Sequence, residues 1–597
     1  MVNIQSDSHP DSKRSLPLVL VVAVGQGWAL YGLHLSLKNH YWPATNPAWL
    51  LALYTAAVYA PITIQFLIAH IQQRAAWVIM GALSALYFYL GWFHGISIVD
   101  ADQTRLGQYA TAFPLALELV LLWLLVLPFV QIRLITGRWT PDYVQLFAVA
   151  WRNKLTLAEA GVFTVLFWGL LSLWQALFHE LKIDFFRELF QEPIFIYPVT
   201  TLAFGVALQL IGSLENWSAI VLEQLLNLLK WLDVIAGVIL TFFTLALLLK
   251  LPTLVFSGER AIGAAWLLWL VAVVVLFTNA AYRDGSAVTP YPRSIATAVR
   301  LTVPLLMIVA LTAVYAVVVR TNSYGLTFER FWALVVSAFA IIYAFGYSWA
   351  SLHRQPWMAG VGRVNVITAL GLIGVLVLAL TPILSPYRLA ADSQYQRALR
   401  WKTGDEARLN GIKSPFHYLR FKSGAYGTRR LQQLASLSDD TASHDIRNMA
   451  AAALAQTNEW APEHPADVED RILKIMVYPS DRAMTDDLRQ ALVTDLKSPL
   501  GSPFLLGAGQ RSWVGLYIAL NGSHEDQFVL FSGCMNARVY QHLSTNWQAV
   551  GSLSNHQPCK EEQLKEILGS GAINAVPRSW SDLKIGEHLY RFAPLSP

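Results

Sequence analysis

Charge is scarce in this sequence. Asp, Glu, Lys and Arg make up 14% of its 597 residues, where soluble domains carry about 25%. The deficit falls on residues 17–384, which are dominated by long apolar runs, while residues 385–597 have the composition of an ordinary globular domain. Cysteine is scarcer still: Cys534 and Cys559 are the only two. No basic domain with interleaved aromatics stands out, and a net charge of +5 is modest for this length, so nucleic acid is not an expected partner. The motifs of common chemistry are missing as well. There is no Walker loop, and Gly507-Ala508-Gly509 and Gly360-Val361-Gly362 lack the third glycine of a dinucleotide fingerprint. His179-Glu180 opens like a zincin helix, but position 183 is Ile183 where the second histidine belongs. No nucleophile elbow occurs. No catalytic residue, metal site or cofactor is therefore predicted, and an enzyme is the less favoured class.

What the chain does have is repeated apolar length. A helix needs about 20 mostly apolar residues to cross a bilayer. Such runs fall near 17–36, 50–69, 76–95, 109–130, 157–178, 194–213, 231–250, 261–280, 298–319, 331–351 and 364–384. The expected fold is an α-helical polytopic membrane bundle of about eleven transmembrane helices, followed by a soluble α+β domain. Residues 1–16 read as a cytoplasmic tail, with Lys13 and Arg14 ahead of a first membrane helix and no small-residue cleavage site behind them. Segments 139–156 and 180–192 mix aromatics with charge and read as interfacial helices, with 214–230 a third of the kind. Basic residues are more frequent on the side of the N-terminal tail (Arg133, Arg138, Arg152, Lys154, Lys230 and Arg283 among them) than in the opposite loops. That bias puts the tail in the cytoplasm, and an odd number of spans then puts the soluble domain outside. A basic run over 388–430 argues the other way. The confinement of both cysteines to the soluble domain argues for an oxidising compartment and a Cys534–Cys559 disulfide, with two buried free thiols as the alternative.

Residues 385–460 read as a juxtamembrane helical region, with helical spacing at Leu431, Leu434, Leu437, Ile446, Met449, Ala453 and Leu454. Residues 461–597 read as mixed α+β. A strand near 471–478, a helix near 485–497, short strands between 513 and 553 in an antiparallel meander, and a helix over 560–569 are expected.

Few residues inside the spans are expensive there. Glu118 stands in the apolar run PLALELVLLWLLVLPF, where an acid costs roughly 2.5–3.5 kcal/mol on insertion scales. It is expected to meet a partner in the bundle interior, either as a packing hydrogen bond or as a proton- or cation-handling group. Gln26, His34, Gln65, Gln175, Gln209 and Asn279 read as interhelical hydrogen-bonding groups. Asp233 reads as an acid near a helix start, favoured by the dipole. Arg283, Arg320 and Arg330 stand at helix ends, placed either to snorkel or to bind an anionic headgroup or substrate. Tyr324-Gly325-Leu326-Thr327 reads as a turn in which Gly325 takes positive φ and Thr327 caps the next helix.

Several stretches carry a resemblance: WRNKLTLAEAGVFTVLFWGLLSLWQALFHELKIDFFRELFQEPIFIYPVT (151–200), FTNAAYRDG (277–285), RTNSYGLTFERFWA (320–333), YAFGYSWA (343–350), GRVNV (362–366), TPILSPYRLAADSQ (381–394) and YGTRRLQQLA (426–435). In this order they resemble a bacterial inner-membrane family, the domain-of-unknown-function family numbered 4153. The resemblance implies a multi-pass protein of a Gram-negative inner membrane and carries no activity with it. LYIALNGSHEDQFVLFSG (516–533) is similar to the strand–loop–strand unit of calcium-loop propeller repeats. Ala519 and Ser523 stand where that unit has acids, which leaves a plain hairpin turn at Asn521-Gly522. The expected partners are the lipid bilayer and proteins that meet the soluble domain. The expected function is a non-enzymatic envelope scaffold or sensor with a periplasmic domain. A transporter or channel using Glu118 is the alternative, and a membrane enzyme on lipid-linked substrates the third reading.

Overall fold

The computed structural model describes residues 12–99, 111–139, 141–213, 215–256, 263–283, 285, 290–353, 357–401, 414–437, 444–456, 472–497, 513–520, 526–532, 536–543, 546–554, 583–585 and 588–590. The chain divides into two compact units. One holds residues 1–401 and 418–438, the other 402–417 and 439–597.

The first unit is a multi-pass helical bundle, with eleven helices among the described residues long and apolar enough to cross a membrane. In chain order its helices are α1 (Ser12–Asn39), α2 (Pro47–Phe66), α3 (Arg74–Ser97), α4 (Ala112–Thr136), α5 (Tyr143–Glu180), the short α6 (Phe185–Gln191), α7 (Pro193–Ser213), α8 (Glu215–Phe256), α9 (Ala264–Tyr282), α10 (Arg293–Thr302), α11 (Leu306–Tyr324), α12 (Phe328–Ser351) and α13 (Val361–Ala379). A 3-10 turn at Val303–Leu305, where Pro304 has no N–H to give, joins α10 to α11 within one span. Local chemistry sets several ends. Asn46 accepts from the Ala48 and Trp49 N–H groups ahead of α2, and Thr327 accepts from the Arg330 N–H ahead of α12, as its position suggests.

Two expected interfacial helices are not separate elements. Residues 143–156 are the first part of the 38-residue α5, and 215–230 the first part of the 42-residue α8. No proline interrupts either stretch, and hydrogen bonding continues straight into the apolar part. At about 1.5 Å per residue both helices exceed the roughly 30 Å hydrocarbon thickness. The exposed Arg152 and Lys154 therefore belong to a helix end and not to a second helix. Within the expected segment 180–192 the short α6 does form.

The spans alternate in direction, and their connections gather at two ends. At one end Tyr143 meets Tyr282, and Tyr291 meets Trp357. We call this the entry end, since α1 begins there. At the opposite, exit end lie Ile98, the 325–327 turn and the helices that follow the last span: α14 (Pro386–Leu399), the Tyr418–Phe421 part of α15 (Pro415–Phe421) and α16 (Gly424–Ala435). These helices are part of the bundle's own unit. The Ala425 N–H donates to the Ile98 carbonyl at 2.8 Å. The approach depends on Gly424, which has φ 56° and whose missing Cβ would overlap the Ile98 carbonyl oxygen. Among the described residues the two largest apolar cores of the bundle are built around Leu90, Leu119, Leu122 and Trp123 and around Leu240, Leu306, Val309 and Tyr347.

The second unit contains α17 (His444–Ala455), β1 (Met476–Tyr478), α18 (Asp486–Lys497) and a sheet completed by β2 (Trp513–Ile518), β3 (Gln527–Ser532), β4 (Asn536–Leu543) and β5 (Asn546–Ser554). The order is β1-β2-β3-β4-β5. β2 to β5 form the expected antiparallel meander, and β1 joins parallel to β2. Alternation along each strand builds two cores. Phe528, Leu530 and Tyr540 face Leu488, Leu492 and Leu496 of α18, while Val514, Leu516, Val529 and Val539 share the other face. A further pair, β6 (Leu583–Ile585) and β7 (His588–Tyr590), is antiparallel. Cys534, Cys559, Asn521-Gly522 and the expected helix over 560–569 lie outside the described residues.

Candidate functional site

Glu118 lies on α4 and is 8% exposed. Trp332 of α12 donates its indole Nε1–H to Glu118 Oε1 at 3.0 Å, the one donor to this carboxyl among the described residues. The two residues are 214 positions apart in the chain. Glu118 is six residues into α4, about 9 Å along its axis, so the acid sits near the exit end and not at mid-membrane. Around it, Tyr59 donates to the Ala116 carbonyl at 3.0 Å and stacks on Tyr87, and Trp123 donates to the Thr63 hydroxyl at 2.9 Å.

Above Glu118 the post-span helices bring in more polar groups. Tyr387 of α14 packs edge-on against His94, which contacts the Thr111 hydroxyl at 2.9 Å. Burial pushes the Tyr387 hydroxyl well up, helped by the nearby Glu118, Tyr418 and Glu329. The Tyr418 hydroxyl, also pushed up chiefly by burial, accepts from the Phe328 N–H at 2.6 Å. The 325–327 turn is held by side chains from α14. Ser393 Oγ accepts from the Leu326 N–H at 2.8 Å, and Gln394 Nε2 donates to the Tyr324 and Leu326 carbonyls at 3.1 and 2.9 Å. Gly325 sits at φ 74°, ψ 169°, a region closed to side-chain-bearing residues, and a Cβ there would stand 2.7 Å from Gln394 Nε2. Arg330 turns back on this loop, its Nη1 donating to the Tyr324 carbonyl at 3.0 Å and the Gly325 carbonyl at 2.6 Å. Arg397 Nη1 reaches the same Tyr324 carbonyl at 3.3 Å.

The entry end holds a second buried acid. Asp233 is 1% exposed and receives Thr278 Oγ1 at 3.1 Å and the Tyr291 hydroxyl at 3.1 Å. The Tyr291 hydroxyl also faces the Lys230 carbonyl at 2.8 Å, so one proton is shared between two acceptors. Burial, then Asp233, pushes the Tyr291 hydroxyl far up and keeps it a donor. Beside this, four helices meet in one amide–phenol network. Tyr347 donates to Asn365 Oδ1 at 2.8 Å, and Asn365 Nδ2 reaches Asn279 Oδ1 at 2.6 Å and the Tyr143 hydroxyl at 3.2 Å.

The structure thus brings Glu118 and Arg330 to the exit end. Arg320 ends α11 at that end, its charge acting on Arg330. Arg283 lies at the entry end with φ 53°, its Nη2 donating to Asn227 at 2.8 Å. Asp233 needs correction. It is eighteen residues into α8, which begins at Glu215, so a helix-start dipole has no part in its placement; its partners are Thr278 and Tyr291. Gln26, His34 and Asn279 bond between helices as expected, whereas Gln65 is buried with no partner for its amide among the described residues. Tyr291, Asn365, Trp332 and Tyr387 went unnoticed as polar joints, although most of them fall inside the stretches that carry the family resemblance. Among the described residues no three His, Cys, Asp or Glu side chains gather as a metal site.

Comparison of the chain with protein-family models, with curated proteins and with solved structures finds no match.

Proposed function

We propose that this chain is a multi-pass inner-membrane protein of a Gram-negative bacterium that works as a non-enzymatic scaffold or sensor, holding its C-terminal α+β region on the periplasmic side. The carrying observation is how the polar groups of the spans are used: Glu118 with Trp332, Asp233 with Thr278 and Tyr291, and Asn365 with Tyr347 and Asn279 are joints between helices. Such joints fix a bundle's geometry. The resemblance to family 4153 supports the inner membrane. The basic bias of the tail-side segments and the confinement of both cysteines to the C-terminal region support the periplasmic side. In that compartment Cys534 and Cys559 form a disulfide.

The test combines topology with complementation. A periplasm-active reporter fused behind Pro597 is active and a cytoplasm-active one silent, and the two thiols resist alkylation until reduced. A strain lacking the chain recovers its envelope phenotype with Glu118→Gln or Asp233→Asn and fails to recover it with a chain ending at residue 438. The reverse pattern, in which well-inserted Glu118→Gln protein loses complementation, moves the assignment to ion or solute transport. Two buried carboxyls within membrane-length helices favour that second reading.

A further inference from the structure

Tyr291 faces more oxygen than one hydroxyl hydrogen can serve. Its Oη lies 2.8 Å from the Lys230 carbonyl and 3.1 Å from Asp233 Oδ2. Oxygens that close repel unless a hydrogen stands between them, and a phenol supplies only one. The shorter contact has the ordinary length of an O–H···O bond. The Tyr291 hydroxyl therefore donates to the Lys230 carbonyl, and the contact with Asp233 needs a hydrogen from the other side. The distances at the acid agree. An ionised carboxylate draws a hydroxyl in to about 2.5–2.7 Å. Thr278 and Tyr291 both stand at 3.1 Å from Asp233, farther than Tyr291 stands from a neutral carbonyl. Nor does a cation balance the acid. Lys230 precedes Asp233 by three residues on α8, a spacing that brings side chains together, yet its ammonium lies over the Trp231 and Tyr291 rings at 5.5 and 5.9 Å. Arg283, behind α9, is bonded to Asn227. The helices packed against this part of α8 also carry Tyr282 on α9, Arg293 and Arg300 on α10, and Tyr143, Arg152, Lys154 and Glu159 on α5. None of these bonds to Asp233, whose partners among the described residues are Thr278 and Tyr291. At 1% exposure an ionised carboxyl without a counter-ion is far costlier than a neutral one.

We propose that Asp233 is a proton-binding site: its carboxyl is protonated, with Oδ1 accepting from Thr278, the Oδ2 hydroxyl donating to Tyr291 Oη, and the Tyr291 hydroxyl donating in turn to the Lys230 carbonyl. The bound proton completes a chain of hydrogen bonds that ties α8 to α9 and to the connection behind α9. Without it the chain is one hydrogen short. Tyr291 then serves either the carboxylate or the Lys230 carbonyl, and the contact left without a hydrogen becomes repulsive. Proton occupancy is thereby coupled to how Tyr291 seats against α8, whether the chain works as a scaffold, a sensor or a transporter.

The test reads the carbonyl stretch of protonated carboxyl groups by infrared spectroscopy of the full chain in lipid vesicles at neutral pH. The chain is made with ordinary aspartate or with aspartate carrying heavy carbon in its side-chain carboxyl. That stretch lies apart from the carboxylate and amide bands, and the label separates aspartate from Glu118. A label-sensitive band is present in the unaltered chain and lost in Asp233→Asn, whose amide keeps an acceptor toward Thr278 and a donor toward Tyr291. Thr278→Val keeps the band and moves it to higher wavenumber, because the hydrogen bond to Oδ1 is gone. This second variant retains the acid, so it carries the assignment if Asp233→Asn does not fold, as circular dichroism and size exclusion check. A missing label-sensitive band in the unaltered chain, or one that stands unmoved in both variants, overturns the proposal. Titration with sodium or potassium chloride separates a proton from a metal cation. The band is expected to be indifferent to both salts. A band that fades as sodium rises, with a gain in the thermal unfolding midpoint that Asp233→Asn lacks, assigns the site to a metal cation and overturns the proton.

Discussion

The two ends of the bundle solve the same problem in different ways. Each buries one carboxyl in an apolar setting, where an ungripped acid is expensive. At the entry end Asp233 is held on both oxygens, by Thr278 one turn from the end of α9 and by Tyr291 from the connection that follows it. Tyr291 is itself packed between Trp231 and Trp357. At the exit end Glu118 has one donor among the described residues, Trp332, and lies close enough to Tyr387 for its charge to act on that hydroxyl. The entry end is closed by residues within and between the spans, while the exit end depends on helices that come after the last span. The first arrangement is redundant and the second is not.

That difference can be broken from the exit side first. Gly424→Val drives a branched side chain into the Ile98 carbonyl at a backbone conformation that side chains avoid. It is expected to cost about 3 kcal/mol or more and to expose α14 and α16 to limited proteolysis while the entry end stays protected. Next come matched donor deletions. Trp332→Phe leaves Glu118 without a donor among the described residues and opens space, for about 2–3 kcal/mol. Tyr291→Phe leaves Asp233 its Thr278 bond and is expected to cost about 1 kcal/mol. Unfolding titrations in a denaturing detergent read both, and equal costs would erase the contrast between the ends. A double-mutant cycle sharpens it. Glu118→Leu in the Trp332→Phe background removes the orphaned acid, so the pair is milder than the sum of the single changes by about 1 kcal/mol. The smallest effect belongs to Arg430→Gln. The side chains of its ion pair with Asp392 are 35% and 42% exposed, so the loss is expected to stay under about 1 kcal/mol and to vanish in high salt.

Much of the bundle was legible because hydrocarbon imposes a length and a composition that few other environments demand. Glu118 was legible for the same reason: an acid in an apolar run is an exception that needs a partner. The partner was not legible, because Trp332 is an ordinary interfacial aromatic in sequence and reaches Glu118 from α12, 214 residues away. Asp233 was misplaced because the apolar run begins near residue 231 whereas the helix begins at Glu215. Composition marks where hydrocarbon begins, not where backbone hydrogen bonding begins. The same reason hid the union of 139–156 with the following span. The sheet was readable from its period-2 runs, but the parallel docking of β1 on β2 was not, since no local turn connects them. At the 325–327 turn the charge of Arg330 was readable and its geometry was not. That three donors converge on the Tyr324 carbonyl depends on Gln394 and Arg397, more than sixty residues later in the chain.

The helices that close the exit end also set an order of events during synthesis. Tyr387, Ser393, Gln394, Tyr418 and the Ala425 N–H all reach back to groups made much earlier, at Ile98, Tyr324–Phe328 and around Glu118. Until the ribosome has passed Tyr418, the 325–327 turn, held from its own side by Arg330, lacks one or more of Ser393, Gln394 and Tyr418, and until it has passed Ala425 the Ile98 carbonyl lacks the Ala425 N–H, although every span has already been made. Insertion and completion of the bundle are therefore separate steps in time, and the second cannot begin until polar sequence beyond the last span has emerged.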